Sequence, residues 1–249
     1  MQQTIKPKAC SAWFGHVDLP QEIRLRRLKQ GDCLDQLTGM LHRAYSRLGE
    51  MGIPCSCVNQ APEVTRQRVA SGECFVAASG ERVVGTISLY ASDAASDSRH
   101  YRDARVASAR QLGVDPHFQG KGVGTALLRL AGHWARRHGC ARLALDTPEQ
   151  AGHLIDYYHR LGFRVVETLQ FSSRPYLSVV LDRSLFHDAA TYRRRVCPLR
   201  RRRALAAVPT AHVEPQTDTM RRATAIPHAC GVYRSHWMAS RVSPPRKGR

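Results

Sequence analysis

Residues 112–125 read Leu-Gly-Val-Asp-Pro-His-Phe-Gln-Gly-Lys-Gly-Val-Gly-Thr, and this stretch decides the fold class. Gly120, Gly122 and Gly124 stand at alternate positions between a β-rich segment and an apolar helical pattern. Because glycine has no Cβ, the backbone can approach a ligand closely, and several N–H groups can point at one spot beside the positive end of a helix dipole. The stretch therefore predicts a phosphate-binding loop between a strand and a helix.

Two common nucleotide-binding motifs do not fit this loop. A Walker loop needs four residues between its glycine and Gly-Lys, followed by Ser or Thr, whereas Gly113 is separated from Gly120 by six residues and Lys121 is followed by Gly122. A dinucleotide-binding loop needs a third glycine three residues after the second, and that position is Thr125. The spacing excludes both classes.

Hydrophobic periodicity on both sides of the loop predicts alternating strands and helices. After the loop, apolar residues recur at helical spacing until His138-Gly139, where glycine can adopt a left-handed cap. Pro62 can open a short second helix, and Gly49–Gln60 reads as a loop between the first two helices. The predicted order is β-α-α-β-β-β-α-β-α-β-β, with strands near 23–25, 74–78, 82–90, 105–114, 141–146, 163–168 and 176–181.

Two segments between predicted strands, residues 92–104 and the segment that begins at Thr147, lead to separate predictions. Residues 92–104 are rich in Ala, Ser, Asp and Arg, which favours a mobile connection. Thr147-Pro148-Glu149-Gln150 carries three helix-start signals: Thr147 as N-cap, Pro148 at the first helical position, and Gln150 placed to close a capping box. We therefore expect a helix to begin at Thr147 and to end at Gly162.

A cofactor motif completes the loop. Gln119, Gly122 and Gly124 form the pattern Gln-x-x-Gly-x-Gly, preceded by a Val114-Asp-Pro turn. This pattern resembles the cofactor motif of the GNAT superfamily of N-acetyltransferases. The resemblance implies a GNAT-like α/β (α+β) fold, with a mixed central sheet of six to seven strands flanked by about four helices, and acetyl-CoA as the co-substrate.

The same resemblance implies a set of cofactor-binding residues. The backbone N–H groups of residues 119–124 would bind the pyrophosphate of acetyl-CoA, and the backbone of residues 112–114 would pair with the pantetheine arm as an added strand. The full set is Leu112, Gly113, Val114, Gln119, Gly120, Lys121, Gly122, Val123, Gly124 and Thr125.

A second signature follows the predicted helix after Thr147. Tyr157-Tyr-His-Arg-Leu-Gly-Phe163 resembles the later GNAT signature, which places Tyr158 in the position of the general acid that protonates the departing thiolate. By spacing alone, Tyr158 also reads as a core aromatic residue, and Tyr157 is the alternate acid. Ala151 occupies the position where the family commonly has an Asn, so cofactor contacts from this helix are an open question.

The general base has no clear candidate in the sequence. Family members often carry a Glu on the strand before the glycine loop, and this strand offers Arg110 and Gln111 instead. Alternatively, the amine loses its proton to solvent. Four residues could stand in for the missing Glu, each also readable as a solvated surface residue: Glu73, Glu81, His100 and His117.

Composition limits the class and suggests a partner. The chain has 249 residues, 43% of them hydrophobic, and no apolar run of the roughly 20 residues needed to span a bilayer, so we expect a cytoplasmic protein without membrane contact. Eight scattered cysteines lack the paired spacing of zinc sites, so we expect free thiols and no metal. Cys55-Ser-Cys57 could be a redox or metal element, although loop residues explain it equally.

The formal charge of +18 is concentrated near the C-terminus. We expect residues 1–20 to be a flexible lead-in, 21–186 the N-acetyltransferase domain, and 187–249 a basic, disordered tail. Two hypotheses follow. In the first, the domain transfers an acetyl group to a primary amine whose identity the sequence does not reveal, with the Gly49–Gln60 loop helping to form the acceptor pocket. In the second, the domain only senses acyl-CoA and the tail binds nucleic acid nonspecifically.

Overall fold

A computed structural model of the protein describes residues 19–186, which form one seven-stranded sheet with helices on both faces. The strand order across the sheet is β1-β2-β3-β4-β5-β7-β6. The strands are β1 (Ile23–Arg27), β2 (Glu73–Ser79), β3 (Arg82–Tyr90), β4 (Val106–Val114), β5 (Arg142–Pro148), β6 (Arg164–Gln170) and β7 (Leu177–Ser184). The helices are α1 (Leu34–Glu50), α2 (Pro62–Ala70), α3 (Arg99–Arg102), α4 (Val123–Arg137) and α5 (Gly152–Arg160).

The middle of the sheet contains a parallel pair that separates along its length. Strands β4 and β5 pair from Val106 with Arg142 to Ser108 with Ala144, and β4 then continues to Val114 without a partner on the β5 side. The other neighbouring strands of the described sheet are antiparallel. The sheet is therefore open between the C-terminal halves of β4 and β5, and we call this opening the wedge.

The core lies on both faces of the sheet. On β2, Ala77 belongs to a cluster with Leu127 of α4, whereas the adjacent Val76 belongs to a cluster with Leu37 and Leu41 of α1. Because successive side chains of a strand point to opposite faces, α4 and α1 cover opposite faces of the sheet. The apolar stripe that predicts α4 from the sequence is the face that this packing buries.

The predicted helix start at Thr147 is wrong. Strand β5 continues through Thr147 and Pro148, which pair with Val179 and Ser178 of β7, and α5 begins only at Gly152. A capping residue stabilises a helix by about 1 kcal/mol. Strand pairing outweighs that local signal here because it also buries Thr147, which is 3% exposed.

The connection between β3 and β4 also differs from the expectation. It contains the short helix α3, whose N-cap Ser98 accepts a hydrogen bond from the backbone N–H of Tyr101. Glu167 of β6 in turn accepts hydrogen bonds from the Ser98 hydroxyl and the Arg99 N–H. The polar composition of residues 92–104 suggested a mobile connection. The structure instead holds this segment through Glu167, which belongs to a strand far along the chain.

No helix within residues 19–186 is long and apolar enough to cross a membrane. The expected lead-in and basic tail lie almost entirely outside the described residues.

Candidate active site

An extra residue in β4 shapes the edge of the wedge. Thr86 of β3 pairs with Gly113 and Ser88 pairs with Arg110, so two β3 steps correspond to three β4 steps. Gln111 lies in this bulge with a φ of 51°, a conformation that a residue with a side chain seldom adopts. The Tyr45 hydroxyl of α1 donates a hydrogen bond of 3.0 Å to the Leu112 carbonyl, which holds the bulged strand end in place.

The glycine loop joins β4 to α4 as the sequence predicts. Gly122 is the N-cap of α4 with a φ of 78°, a backbone conformation that glycine adopts without strain. The first intrahelical bond of α4 runs from the Ala126 N–H to the Gly122 carbonyl, so the N–H groups that precede Ala126 in the first turn have no acceptor one helical turn before them. The Gln119 side chain donates a hydrogen bond to the Val114 carbonyl. The loop therefore presents consecutive N–H donors at the positive end of a helix dipole, which is the geometry of an anion site.

Tyr157 contacts the first turn of α4. A Cβ added at Gly124 would lie 3.0 Å from the Tyr157 hydroxyl oxygen, and the same hydroxyl lies 3.3 Å from Thr125 Oγ1. A side chain at this position would force the Tyr157 hydroxyl to move, so glycine favours the close packing of α5 on α4. Tyr157, the alternate acid of the sequence interpretation, is engaged with the loop rather than with the wedge.

A buried carboxylate fixes the start of the loop. Asp115 has no exposed side-chain surface and forms ion pairs with Arg43 of α1 at 2.8 Å and Arg82 of β3 at 3.0 Å. It also accepts a hydrogen bond from the His117 N–H. Burial opposes ionisation of Asp115, but these donors outweigh it and lower its pKa to about 2. A permanent charge thus ties the loop to one helix and one strand.

Tyr158 belongs to α5, and its side chain packs into the hydrophobic core beside the wedge. Its ring is 7% exposed and packs edge-on against Phe163 with centroids 5.9 Å apart. Burial raises the pKa of Tyr158 above its ordinary value, and the nearby Tyr157 and Asp146 raise it further. Within the described residues, the Tyr158 hydroxyl has no hydrogen-bond partner. It is also not one of the polar side-chain atoms that are completely buried without a partner, so it retains some exposed surface. Both interpretations of Tyr158 from the sequence, core residue and acid, are compatible with this position.

Asp146 of β5 is a residue that the sequence interpretation missed. Its side chain is 8% exposed, accepts a hydrogen bond of 2.9 Å from the Tyr101 hydroxyl, and forms an ion pair with Arg174. After burial and Tyr157, its charge is the smallest of the three causes that raise the pKa of Tyr158. The alternation within Arg142–Pro148 could have marked Asp146 as an unusual strand carboxylate, but its partners come from two distant connections.

The four stand-ins for a general base have other roles in the structure. Glu73 forms an ion pair with Arg27, Glu81 lies exposed in the turn between β2 and β3, and His117 is mostly exposed beside Asp115. His100 contacts the buried Asp182 at 2.7 Å. The ionisable groups that influence Tyr158 are instead Tyr157 and Asp146.

A cleft of about 310 Å³ lies in the loop between α1 and α2. Cys55 and residues around it from Gly49 to Asn59 line the cleft. Behind it, Ala151 packs in a cluster with Tyr176 and with Tyr45. Ala151 thus fills core space where the family commonly has a polar Asn. Since Tyr45 contacts both this cluster and the Leu112 carbonyl, the cleft adjoins the wedge.

The five described cysteines are free thiols. No three His, Cys, Asp or Glu side chains between residues 19 and 186 converge as a metal site would require.

Comparisons with known proteins agree with this geometry. The chain is 31% identical over 156 residues to the mycothiol acetyltransferase of Propionibacterium freudenreichii subsp. shermanii, covering 60% of this chain and 46% of the relative. It is 35% identical over 65 residues to an uncharacterized N-acetyltransferase of Methanocaldococcus jannaschii, covering 26% and 29%. The chain therefore spans less than half the length of these curated relatives.

A solved structure shares the fold. A protein from Pyrococcus horikoshii OT3 superposes with a TM-score of 0.52 at 21% identity, covering 65% of this chain and 98% of that one. Residues 46–163 match the sequence model of the Acetyltransferase (GNAT) family, a range that includes the glycine loop, the wedge and Tyr158. The expected family resemblance and fold class are thereby confirmed: residues 46–163, within the folded part of the chain, are similar in sequence to the acetyltransferase (GNAT) family.

Proposed function

We propose that this domain transfers an acetyl group from acetyl-CoA to a primary amine of a small molecule or a protein, by direct attack of the amine on the thioester. One observation carries the proposal: the N–H groups of the first turn of α4 lie at the end of the open edge of β4, and Tyr158 lies beside that edge. The similarity to the GNAT family supports acetyl-CoA as the donor.

Residues of the glycine loop and of β4 could bind acetyl-CoA, the proposed acetyl donor. The N–H groups of residues 120–125 would bind the pyrophosphate, with Lys121 adding a positive charge. The backbone of residues 112–114 would pair with the pantetheine arm, because β4 has no β5 partner there. The Tyr45 hydroxyl fixes the Leu112 carbonyl, so this edge is already held in an extended form before the donor binds.

Tyr158 would protonate the departing thiolate. Burial keeps its hydroxyl neutral because it raises the pKa of Tyr158, and the described residues leave that hydroxyl free to donate. A thiol has a reference pKa of about 8.5, so its thiolate is a fair leaving group and one weak acid suffices.

Asp146 would receive the acceptor amine. Its carboxylate is held by Tyr101 and Arg174 from one side of the sheet and acts electrostatically on Tyr158. A carboxylate at this position can accept a hydrogen bond from the incoming amine and orient it towards the thioester. The loop Gly49–Gln60, with its cleft, would contribute the rest of the acceptor pocket.

The alternative function, acyl-CoA sensing with a nucleic-acid-binding tail, finds no support in the comparisons. Its basic segment, 187–249, lies outside the described residues.

Calorimetric titration of acetyl-CoA into the full chain tests the proposal. Gly122→Val forces a side chain into a φ of 78°, and Gly124→Val drives a Cβ to 3.0 Å from the Tyr157 oxygen. We expect each to weaken binding at least about tenfold, because the N–H donors are displaced. Gly31→Val is the matched control, since a Cβ at Gly31 meets no atom within 4 Å. Absence of binding to the folded wild-type chain would overturn the proposal.

A further inference from the structure

Two neighbouring cysteines in the loop between α1 and α2 have no catalytic role in the proposed function. Cys55 and Cys57 flank Ser56 at the start of a single 3-10 turn, which is closed by a 3.0 Å hydrogen bond from the Val58 N–H to the Cys55 carbonyl. Cys55 lines the cleft and is half-buried, whereas Cys57 is 7% exposed behind it. The turn therefore carries one partly exposed sulfur, that of Cys55, and one buried sulfur, that of Cys57.

The surroundings of the two sulfurs differ. The neighbouring Cys57 thiol and, to a smaller extent, the Tyr176 hydroxyl and Arg174 lower the pKa of Cys55. The Cys55 thiol, together with burial, raises the pKa of Cys57. The partly exposed thiol therefore ionises more readily than the buried one.

Arg68 of α2 holds the turn in this arrangement. Its guanidinium donates to Cys57 Sγ at 3.4 Å, to Gln60 Oε1 at 2.5 Å and to Ser56 Oγ at 2.9 Å. The three contacts fix one cysteine of the pair, the serine between the two cysteines and a residue that follows them. Arg68 therefore fixes the short turn that carries both cysteines.

We propose that Cys55 and Cys57 are a redox-active thiol pair that a peroxide oxidises to an intramolecular disulfide, with Cys55 as the attacking sulfur and Cys57 as the resolving sulfur. The Cys55 thiolate attacks one oxygen of hydrogen peroxide, the O–O bond breaks, and the second oxygen leaves as hydroxide, which takes a proton from solvent to become water; the product is a sulfenic acid at Cys55. Cys57 then attacks the Cys55 sulfur, the S–O bond breaks, and the hydroxyl leaves with the Cys57 proton as a second water. Accessible low-pKa thiols beside a resolving thiol are typical of such pairs.

Oxidation would change the acceptor side and leave the donor loop in place. A disulfide removes the Cys55 thiolate from Tyr176 and Arg174, and Arg174 also pairs with Asp146. We expect the oxidised chain to bind acetyl-CoA normally but to use the amine poorly. This consequence rests on the proposed function, whereas formation of the disulfide does not.

Peptide mass spectrometry of the full chain after treatment with hydrogen peroxide tests the pair. We expect a Cys55–Cys57 linked peptide that dithiothreitol reverses, formed at least about tenfold faster than any modification of the exposed Cys33, which is the internal control. Cys57→Ser should instead accumulate a sulfenic acid at Cys55 that dimedone traps, because no resolving thiol remains. Cys55→Ser should leave Cys57 reduced.

Circular dichroism of both variants confirms that they fold. Modification of Cys55 no faster than of Cys33, or a Cys57→Ser variant without dimedone adduct at Cys55, would overturn the proposal. Titration of acetyl-CoA into reduced and oxidised chain separates the two inferences. A disulfide in a chain that never binds acetyl-CoA would refute the proposed function alone.

Discussion

At the residue scale, Tyr158 combines a structural position with a free polar group. Its ring packs against Phe163 and Tyr157, as a core residue would. A hydroxyl that is almost enclosed normally finds a partner, because an unmade buried hydrogen bond costs about 1–3 kcal/mol. The described residues provide no such partner, so the Tyr158 hydroxyl is free to form a hydrogen bond with bound acetyl-CoA.

Tyr158→Phe removes only this hydroxyl and tests its role. We expect kcat to fall about 100-fold or more, because a general acid contributes roughly 10²–10⁴ to the rate, while acetyl-CoA affinity changes less than about twofold. Tyr157→Phe is the control; it loses the Thr125 contact and should affect acetyl-CoA binding more than kcat. Steady-state kinetics with calorimetry measures both. A Tyr158→Phe enzyme with full kcat would leave Tyr158 as a core residue.

At the scale of elements, Asp115 connects the glycine loop to α1 and β3. Both arginines that pair with it are about half-exposed, so solvent screens each ion pair. The carboxylate itself is buried, and a buried charge that lost these partners would be costly. The position of the glycine loop therefore depends on α1 and β3, which both precede it in the chain by many residues.

The depressed pKa of Asp115 makes this connection sensitive to acid. A carboxyl with a folded pKa of about 2 stabilises the native state above its unfolded pKa of about 3.9, and that stabilisation disappears as the pH falls through the folded value. We expect Asp115→Asn to cost about 1–2 kcal/mol at pH 7 and to flatten the dependence of the free energy of unfolding on pH between about 4 and 2. Urea unfolding across this range measures it. An unchanged slope would contradict the assignment.

At the scale of the whole molecule, the candidate site gathers residues from four elements. Tyr45 comes from α1, Leu112 from β4, Asp146 from β5 and Tyr158 from α5. They meet because α1 and α5 lie on opposite faces of the sheet and the wedge between β4 and β5 connects the two faces. The donor would enter from one end of this wedge and the acceptor from the face that carries α1 and the cleft.

Removal of residues 187–249 tests whether the described domain holds the whole donor site. All proposed cofactor contacts lie between residues 112 and 125, so we expect the shortened chain to bind acetyl-CoA with a Kd within about twofold of the full chain. Calorimetry gives the affinity, and thermal unfolding checks that the domain is intact. A large loss of affinity at an unchanged Tm would assign part of the donor site to 187–249.

By itself the sequence determined the order of the seven strands and of the four longer helices, and the glycine loop between β4 and α4. These depend on local properties: the helical period behind α4, the turn residues between β2 and β3, and the left-handed backbone that Gly120 and Gly122 allow. Interactions between neighbours in sequence decide such features, so they can be read before the chain is folded. The family signature at Tyr157–Phe163 is of the same kind.

Only the tertiary structure decided where β5 ends, how β4 bulges at Gln111, and which side chains face Tyr158. Thr147 carries a helix-start signal but lies in a strand, because pairing with Val179 and burial outweigh one cap. Asp146 became a site residue through Tyr101 and Arg174, and Cys55 through Tyr176. Each of these outcomes rests on contacts between residues far apart in the chain, whose energies no local pattern encodes.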